Sequence, residues 1–424
     1  MTQKRILHTS DWHLGQTFHG FERTWEHERF LAWLLETVVA REVDALLVSG
    51  DVFDTPNPSS AAQRQWFDFL VAVTRERPGC DVVATSGNHD SPQRLDAPEA
   101  LTRALGLHIV GSARDASGVF DAARLVVPLG EGSEGGVWGH VAAIPFLRGD
   151  DLGTLTELHA DDGYVQLTRR RHGAVFDELA SRAAPGHARF AMAHGVVVGE
   201  ESASRSEREI RIGNVGGVPV DVFPADLTYV ALGHLHRPQR AGGRESVQYA
   251  GSPLPLHVSE AEYPHRAVLV TVEGGALCEM ESLPVPKSVP VVRVPSAGKS
   301  MSPDEVLAEL RLLPSRASLP EAQQPYLDVR FQRAAPRPRF VEEVTAAIEG
   351  KGYRITTVRP EVQAPTTPLP PGEEVAQREL GDLSPDEVFC ELYRRKYADK
   401  EPSAELLRAF DELFATVTNG GVPS

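Results

Sequence analysis

Arg5-Ile6-Leu7-His8-Thr9-Ser10-Asp11-Trp12-His13 and Ala45-Leu46-Leu47-Val48-Ser49-Gly50-Asp51-Val52-Phe53-Asp54 each run from an apolar stretch into carboxylate and imidazole side chains. Short apolar runs with turn residues behind them predict buried strands. Asp81-Val82-Val83-Ala84, Phe190-Ala191-Met192-Ala193 and Tyr229-Val230-Ala231-Leu232 repeat the pattern. Between the first two runs, Phe30, Leu31, Leu34, Leu35 and Val38 step by helical spacing, and Trp66, Phe67, Leu70 and Val71 do so within Ser60 to Arg75. Strand and helix in alternation predict an α/β layered domain. Valine-rich segments from Val119 to Ile144 and from Gln248 to Met280 predict further, antiparallel strands.

Working outward, Leu283-Pro284-Val285-Pro286 reads as a linker. A small β-α-β-α-β unit follows. It has strands near Val289–Val294, Tyr326–Phe331 and Tyr353–Val358, a capped helix starting at Ser302-Pro303-Asp304-Glu305, and a second helix through Val341 to Ile348. Pro365 to Gly372 forms a second proline-rich linker. Another capping box, Ser384 to Glu387, then opens helices with Phe389 and Leu392, and with Leu406, Phe410, Leu413 and Phe414 on one apolar face. The expected divisions are 1–283, a cap at 284–364, a linker at 365–383 and C-terminal helices at 384–424.

At 424 residues, two or three domains are expected. No apolar run approaches the roughly 20 residues of a membrane span, the start has no signal-peptide pattern, and Cys80, Cys278 and Cys390 lie far apart. A cytoplasmic, non-membrane protein is the expectation. The net charge of −16 argues against a nonspecific nucleic-acid coat, yet leaves room for an enzyme that spends its carboxylates on metal.

Five segments sit at strand ends: Asp11-Trp12-His13, Gly50 to Asp54, Gly87-Asn88-His89-Asp90, His194-Gly195 and Gly233-His234-Leu235-His236. Ligands of open α/β sheets gather outside the carboxyl ends of strands. Taken singly, each has a plainer explanation, since a strand-end Asp caps turns and a lone His suits a polar core. Five in this order make coincidence a poor account. Imidazole with carboxylate and no thiolate suits manganese, iron or zinc. A lone Asp such as Asp51 can bridge two ions, and Asn88 offers a neutral amide oxygen. Two ions make a clamp for in-line attack at phosphorus.

HTSDWHLG (8–15), SGDVFDTPNPS (49–59), SGNHDSPQRL (86–95), ALGHLHRPQ (231–239) and YAGSPLPL (249–256) resemble the calcineurin-like metallophosphoesterase superfamily. Within it the chain is similar, nearly throughout, to the nuclease subunits of bacterial ATP-driven DNA end-processing complexes. The resemblance implies a two-sheet sandwich flanked by helices, a small α/β capping domain and C-terminal helices. It assigns one divalent ion, manganese for preference, to Asp11, His13, Asp51 and His236, and a second to Asp51, Asn88, His194 and His234. His89 would face the phosphate and protonate the departing oxygen, with Asp90 orienting the His89 ring. Other branches carry histidine where this chain has Asp54, so Asp54 is expected only to brace the site.

The resemblance also implies DNA as substrate. A homodimer would form through helices near Ser60–Arg75 and Pro98–Leu105. Phe389, Leu392, Phe410 and Phe414 would dock on the coiled coil of an ATPase subunit. Arg169-Arg170-Arg171, the Arg333–Arg339 stretch and Arg394-Arg395-Lys396 are candidate backbone contacts, as is the polar Ser202–Arg211 loop, although a charge run is usually a solvated face. The alternatives are a phosphodiesterase acting on a small nucleotide or phosphoprotein, and a non-catalytic DNA-end scaffold.

Overall fold

Strands that are apolar on both faces can be buried only between two layers, and that is where these runs lie. The computed structural model describes residues 3–131, 135–152, 163–197, 217–296, 298–332 and 337–361, with Tyr393 and Leu406. Lys4–Thr9, Ala45–Ser49, Asp81–Thr85 and Leu107–Val110 pair in parallel, and Arg266–Glu273 and Ala276–Pro284 extend their sheet antiparallel beyond Lys4–Thr9. A second six-stranded sheet runs Gln239–Ala241, Arg244–Tyr249, Tyr229–Gly233, Ala188–His194, Gly139–Ala143, Val126–Leu129, with its four inner strands parallel.

The period-2 alternation of side chains decides the layers. Ile6, Ala45, Leu47 and Val83 pack between the sheets with Phe190 and Tyr229, whose hydroxyl meets His8 Nδ1 at 2.9 Å. Leu7, Leu46, Val48, Val82 and Ala84 face the other way, onto helices Thr24–Ala40 and Ser60–Glu76 through Phe30, Leu34, Trp66 and Leu70. Helix Gly163–Arg182 buries Val175 and Leu179 against the second sheet, at the strands Gly139–Ala143 and Val126–Leu129.

Two expectations need correction. The apolar stripe of Ser60–Glu76 that is buried comprises Ala62, Trp66, Phe69, Leu70 and Val73, while Phe67 and Val71 are 39% and 52% exposed. This helix is apolar on two faces, so spacing alone does not say which one meets the sheet. Val119 is exposed just after the turn at Asp115–Gly118, and the strand begins only at Val126.

The cap is a three-stranded parallel sheet of Val291–Val294, Tyr326–Phe331 and Arg354–Pro360, with helices Pro303–Leu312 and Phe340–Ala347. Ser302 and Glu305 form the reciprocal capping box, with Pro303 following. The cap has its own core around Val306, Leu310, Leu327 and Val344. Tyr326 fastens it to the sandwich, donating to Glu26 Oε1 at 2.6 Å and packing its ring, tilted by 51°, against Phe18 at 4.5 Å. The chain up to Glu361 packs as one unit. The expected linker, Phe389, Leu392, Phe410 and Phe414, the 394–396 cluster, most of 333–339 and the 202–211 loop lie outside the described residues.

Candidate metal centre

The strands Lys4–Thr9, Ala45–Ser49, Asp81–Thr85, Ala188–His194 and Tyr229–Gly233 deliver their ends to one place. Asp11, His13, Asp51 and His234 have φ of 54°, 46°, 49° and 106°, left-handed values that non-glycine residues rarely adopt. Each costs of order 1–3 kcal/mol, and such strain persists only where surrounding contacts enforce it. Those contacts are backbone hydrogen bonds from Asp11 N to Gly50 O (3.1 Å) and from His13 N to Asp51 O (3.0 Å). Two glycines permit the approach. A Cβ on Gly50 would overlap the His194 ring, and one on Gly87 would strike the Asp51 carboxylate.

Ligand atoms of Asp11, His13 and His236 lie within 4.8 Å of one another, and so do those of Asp11, Asp51 and His194. Asp51 stands between the two groups, its Oδ2 3.5 Å from His13 Nε2 and 3.3 Å from His194 Nε2. Asn88 Oδ1 is 2.9 Å from His194 Nε2 and 3.2 Å from His234 Nδ1. All seven expected ligands therefore come together. His13, Asp54 and His89 form a third cluster that overlaps the first.

The outer edges of the rings are anchored. His194 Nδ1 donates to Ser49 O (2.9 Å) and His89 Nδ1 to Asp54 O (2.8 Å), while His13 Nδ1 meets Asp54 Oδ1 (3.2 Å) and His236 Nδ1 meets Glu260 Oε1 (3.1 Å). A carbonyl or carboxylate there holds the proton on Nδ1 and turns the Nε2 lone pair inward. His13 Nε2 is buried with no hydrogen-bond partner among the described residues. A buried acceptor left so, beside carboxylates, is costly unless a cation satisfies it. The donor set of imidazole, carboxylate and amide oxygen fits a divalent ion.

The electrostatics agree. Burial opposes charge on His194, but the Asp51 carboxylate outweighs it and carries that imidazole up to about 9, so without metal a proton takes the cation's place. Burial pushes Asp51 upward, yet His194 and His13 hold it well below the usual carboxylate range. Burial, aided by His194, lowers His234 to about 3 and leaves it neutral.

Asp90 requires a correction. It was expected to orient His89, but its carboxylate accepts N–H groups from Val52 (3.1 Å), Phe53 (2.9 Å) and Gly87 (2.9 Å), and the His89 ring is held by Asp54 O. Consecutive residues in this turn send their side chains apart, so Asp90 braces the Asp51 loop instead. Burial and the nearby Asp51 raise it to about 6, against those three donors.

No sequence signal marks Glu260. It is fully buried, its Oε2 accepts Leu256 N–H at 2.7 Å, and it lies 24 residues beyond the histidine it supports. No motif spacing connects the two.

Residues 4–238, more than half of the chain, match the family model for calcineurin-like phosphoesterases. The SbcD subunit of nuclease SbcCD from Rhodobacter capsulatus is 40% identical over 92% of this chain and 94% of its own length. The chain belongs to the SbcD family of calcineurin-like phosphoesterases. Other members are the proteins of the same name from Escherichia coli K12, 38% identical over 68% of this chain and 70% of that one, and from Bacillus subtilis, 32% identical over 68% and 71%. Residues 288–397 match a second family model, the type 5 capsule protein repressor C-terminal domain. Among the described residues no helix is long and apolar enough to cross a membrane.

Proposed function

We propose that this chain is the nuclease subunit of a cytoplasmic, ATP-driven DNA end-processing complex and hydrolyses phosphodiester bonds with two divalent ions, manganese for preference. The observation that carries the reading is the convergence of Asp11, His13, Asp51, Asn88, His194, His234 and His236, with Asp51 between two groups of donors. When bound, a pair of divalent ions supplies the clamp on phosphorus and the activation of water. Asp11, His13, Asp51 and His236 would hold one ion, and Asp51, Asn88, His194 and His234 the other.

His89 adds what a structural metal site would not need. Its ring stands edge-on to His13 at 4.7 Å, and its backbone N–H donates to Asp51 Oδ1 at 2.8 Å. With Nδ1–H donated to the Asp54 carbonyl, Nε2 is the edge through which a proton reaches a departing oxygen. In metal-stripped protein resupplied with manganese, His89→Ala is expected to slow cleavage of single-stranded DNA by about 10²–10⁴-fold with unchanged metal content. Unaltered rates would remove His89 from the chemistry. Hydrolysis of a small phosphodiester without cleavage of DNA would favour the small-substrate reading, and inactivity on both, with an ATPase partner present, the scaffold.

The same reading includes a homodimer and an SbcC-type ATPase with a coiled coil. Phe67 and Val71 on Ser60–Glu76, and Leu101 (73% exposed) and Leu105 (53%) on and just after Glu99–Ala104, are large apolar side chains left exposed, which supports pairing of two copies. The division into a nuclease domain (1–283), cap (284–364), linker (365–383) and docking helices (384–424) belongs to it too, with Phe389, Leu392, Phe410 and Phe414 as anchors. Light scattering tests both associations. Phe67→Asp with Val71→Asp is expected to halve the mass of the free protein, and Phe410→Ala with Phe414→Ala to abolish co-elution with the ATPase. Unchanged masses would sink each idea in turn.

A further inference from the structure

Arg148 is fixed beside the metal loops by carbonyl oxygens rather than by a carboxylate. One terminal nitrogen donates to Asp90 O at 2.9 Å and to Gly87 O at 3.3 Å, the residues on either side of Asn88-His89. The guanidinium lies over the Phe146 ring at 5.4 Å, and Phe146 meets the His194 ring edge-on at 6.4 Å. Backbone and aromatic contacts thus set the position of a cation next to the donor cluster, not within it.

A guanidinium has five N–H groups. Two are used on the loop carbonyls, leaving Nε–H and the second terminal nitrogen without a hydrogen bond among the described residues. Asp151, the carboxylate three residues on, is already engaged. Asp151 Oδ1 accepts Arg114 Nε–H at 2.8 Å, and Oδ2 accepts the Arg148 backbone N–H at 2.9 Å. Half-burial works against the charge, and the Asp151, Asp90 and Asp51 carboxylates favour it from a distance. A partly desolvated guanidinium with one edge held and the other open suits the oxygens of a phosphate, which accept its fork in bidentate fashion.

We infer that Arg148 seats a phosphate of the DNA strand adjacent to the one being cleaved. The inference rests on the nuclease reading above and extends it, because a substrate with one phosphate would satisfy the donor cluster and leave Arg148 unused. It also gives a chain of net charge −16 a local means of gripping a polyanion.

The test measures binding of a fluorescent single-stranded oligonucleotide by anisotropy across a salt series, in a His89→Ala background that does not consume it. Arg148→Ala is expected to weaken binding about tenfold, the usual loss for a charge-assisted contact. It should also reduce the slope of log affinity against log salt by about 0.7. Arg148→Lys should retain the slope but recover only part of the affinity, since an ammonium lacks the fork. In the otherwise native protein, Arg148→Ala should cost cleavage of the oligonucleotide far more than hydrolysis of bis(p-nitrophenyl) phosphate, which offers a single phosphodiester. Equal losses on both substrates, or loss of metal or thermal stability in Arg148→Lys, would reduce Arg148 to a clamp on the Asn88 loop. Unchanged affinity and slope would also overturn the proposal. Failure of the protein with native Arg148 to bind or cut DNA, while it hydrolyses the small diester, would instead remove the nuclease reading.

Discussion

Asp51→Ala is expected to abolish manganese-dependent cleavage and to lower bound metal from about two ions per chain to about one or fewer. Asp51 Oδ2 is the oxygen shared by the His13 and His194 sides of the site, while Oδ1 receives the His89 backbone N–H. Alanine removes an anion from both groups of donors and loosens the loop that carries the proposed acid. Ions contribute several kcal/mol to the transition state, and each 1.36 kcal/mol is a factor of ten, so the loss should be about 10³-fold or more. Metal content by mass spectrometry and cleavage of labelled DNA read the two effects separately. Asp51→Asn keeps an acceptor for His89 N–H, so it should preserve more of the thermal stability while remaining inactive. Full metal occupancy in either variant would remove Asp51 from its place between the ions.

Asp90→Ala should fail differently, through stability. The carboxylate is buried and accepts three backbone N–H groups, two from the Asp51 loop and one from Gly87. Each donor left buried and unpaired costs about 1–3 kcal/mol. Water will enter to meet part of that demand, so a loss of about 4 kcal/mol is expected, enough to lower Tm by about 5 °C in a unit of this size. The loss should appear in metal-free protein as well, because the bonds do not depend on an ion. An unchanged Tm with a reduced rate would mean that Asp90 acts through His89 after all. Calorimetry of stripped and manganese-loaded protein distinguishes the two.

These two carboxylates also mark the limit of what the sequence determines. The five strand ends are legible there because local rules act over a few residues. Ile6-Leu7 and Ala45 to Val48 are apolar on consecutive positions in short runs closed by turn residues, as strands buried on both faces require. The residues placed after those strands, from Asp11 to His236, then share one end of the sandwich by topology. Ser302 with Glu305 likewise announces its helix start through contacts three residues apart.

Tertiary structure alone decided the rest. The family resemblance implies Asp90 as the partner of His89, but the Asp54 carbonyl holds the ring instead. Glu260 and Arg148 reach His236 and the Asn88 loop from 24 and about 60 residues away, and no periodicity records such a meeting. On Ser60–Glu76, spacing shows apolar residues at 66, 67, 69, 70, 71 and 73, whereas only packing selects Phe69 and Val73 for the core and turns Phe67 and Val71 outward. Hydrophobic period and turn chemistry are properties of a segment and can be judged from the segment. Which nitrogen a distant carboxylate meets depends on how the layers settle against one another, and that is determined only when the whole core closes.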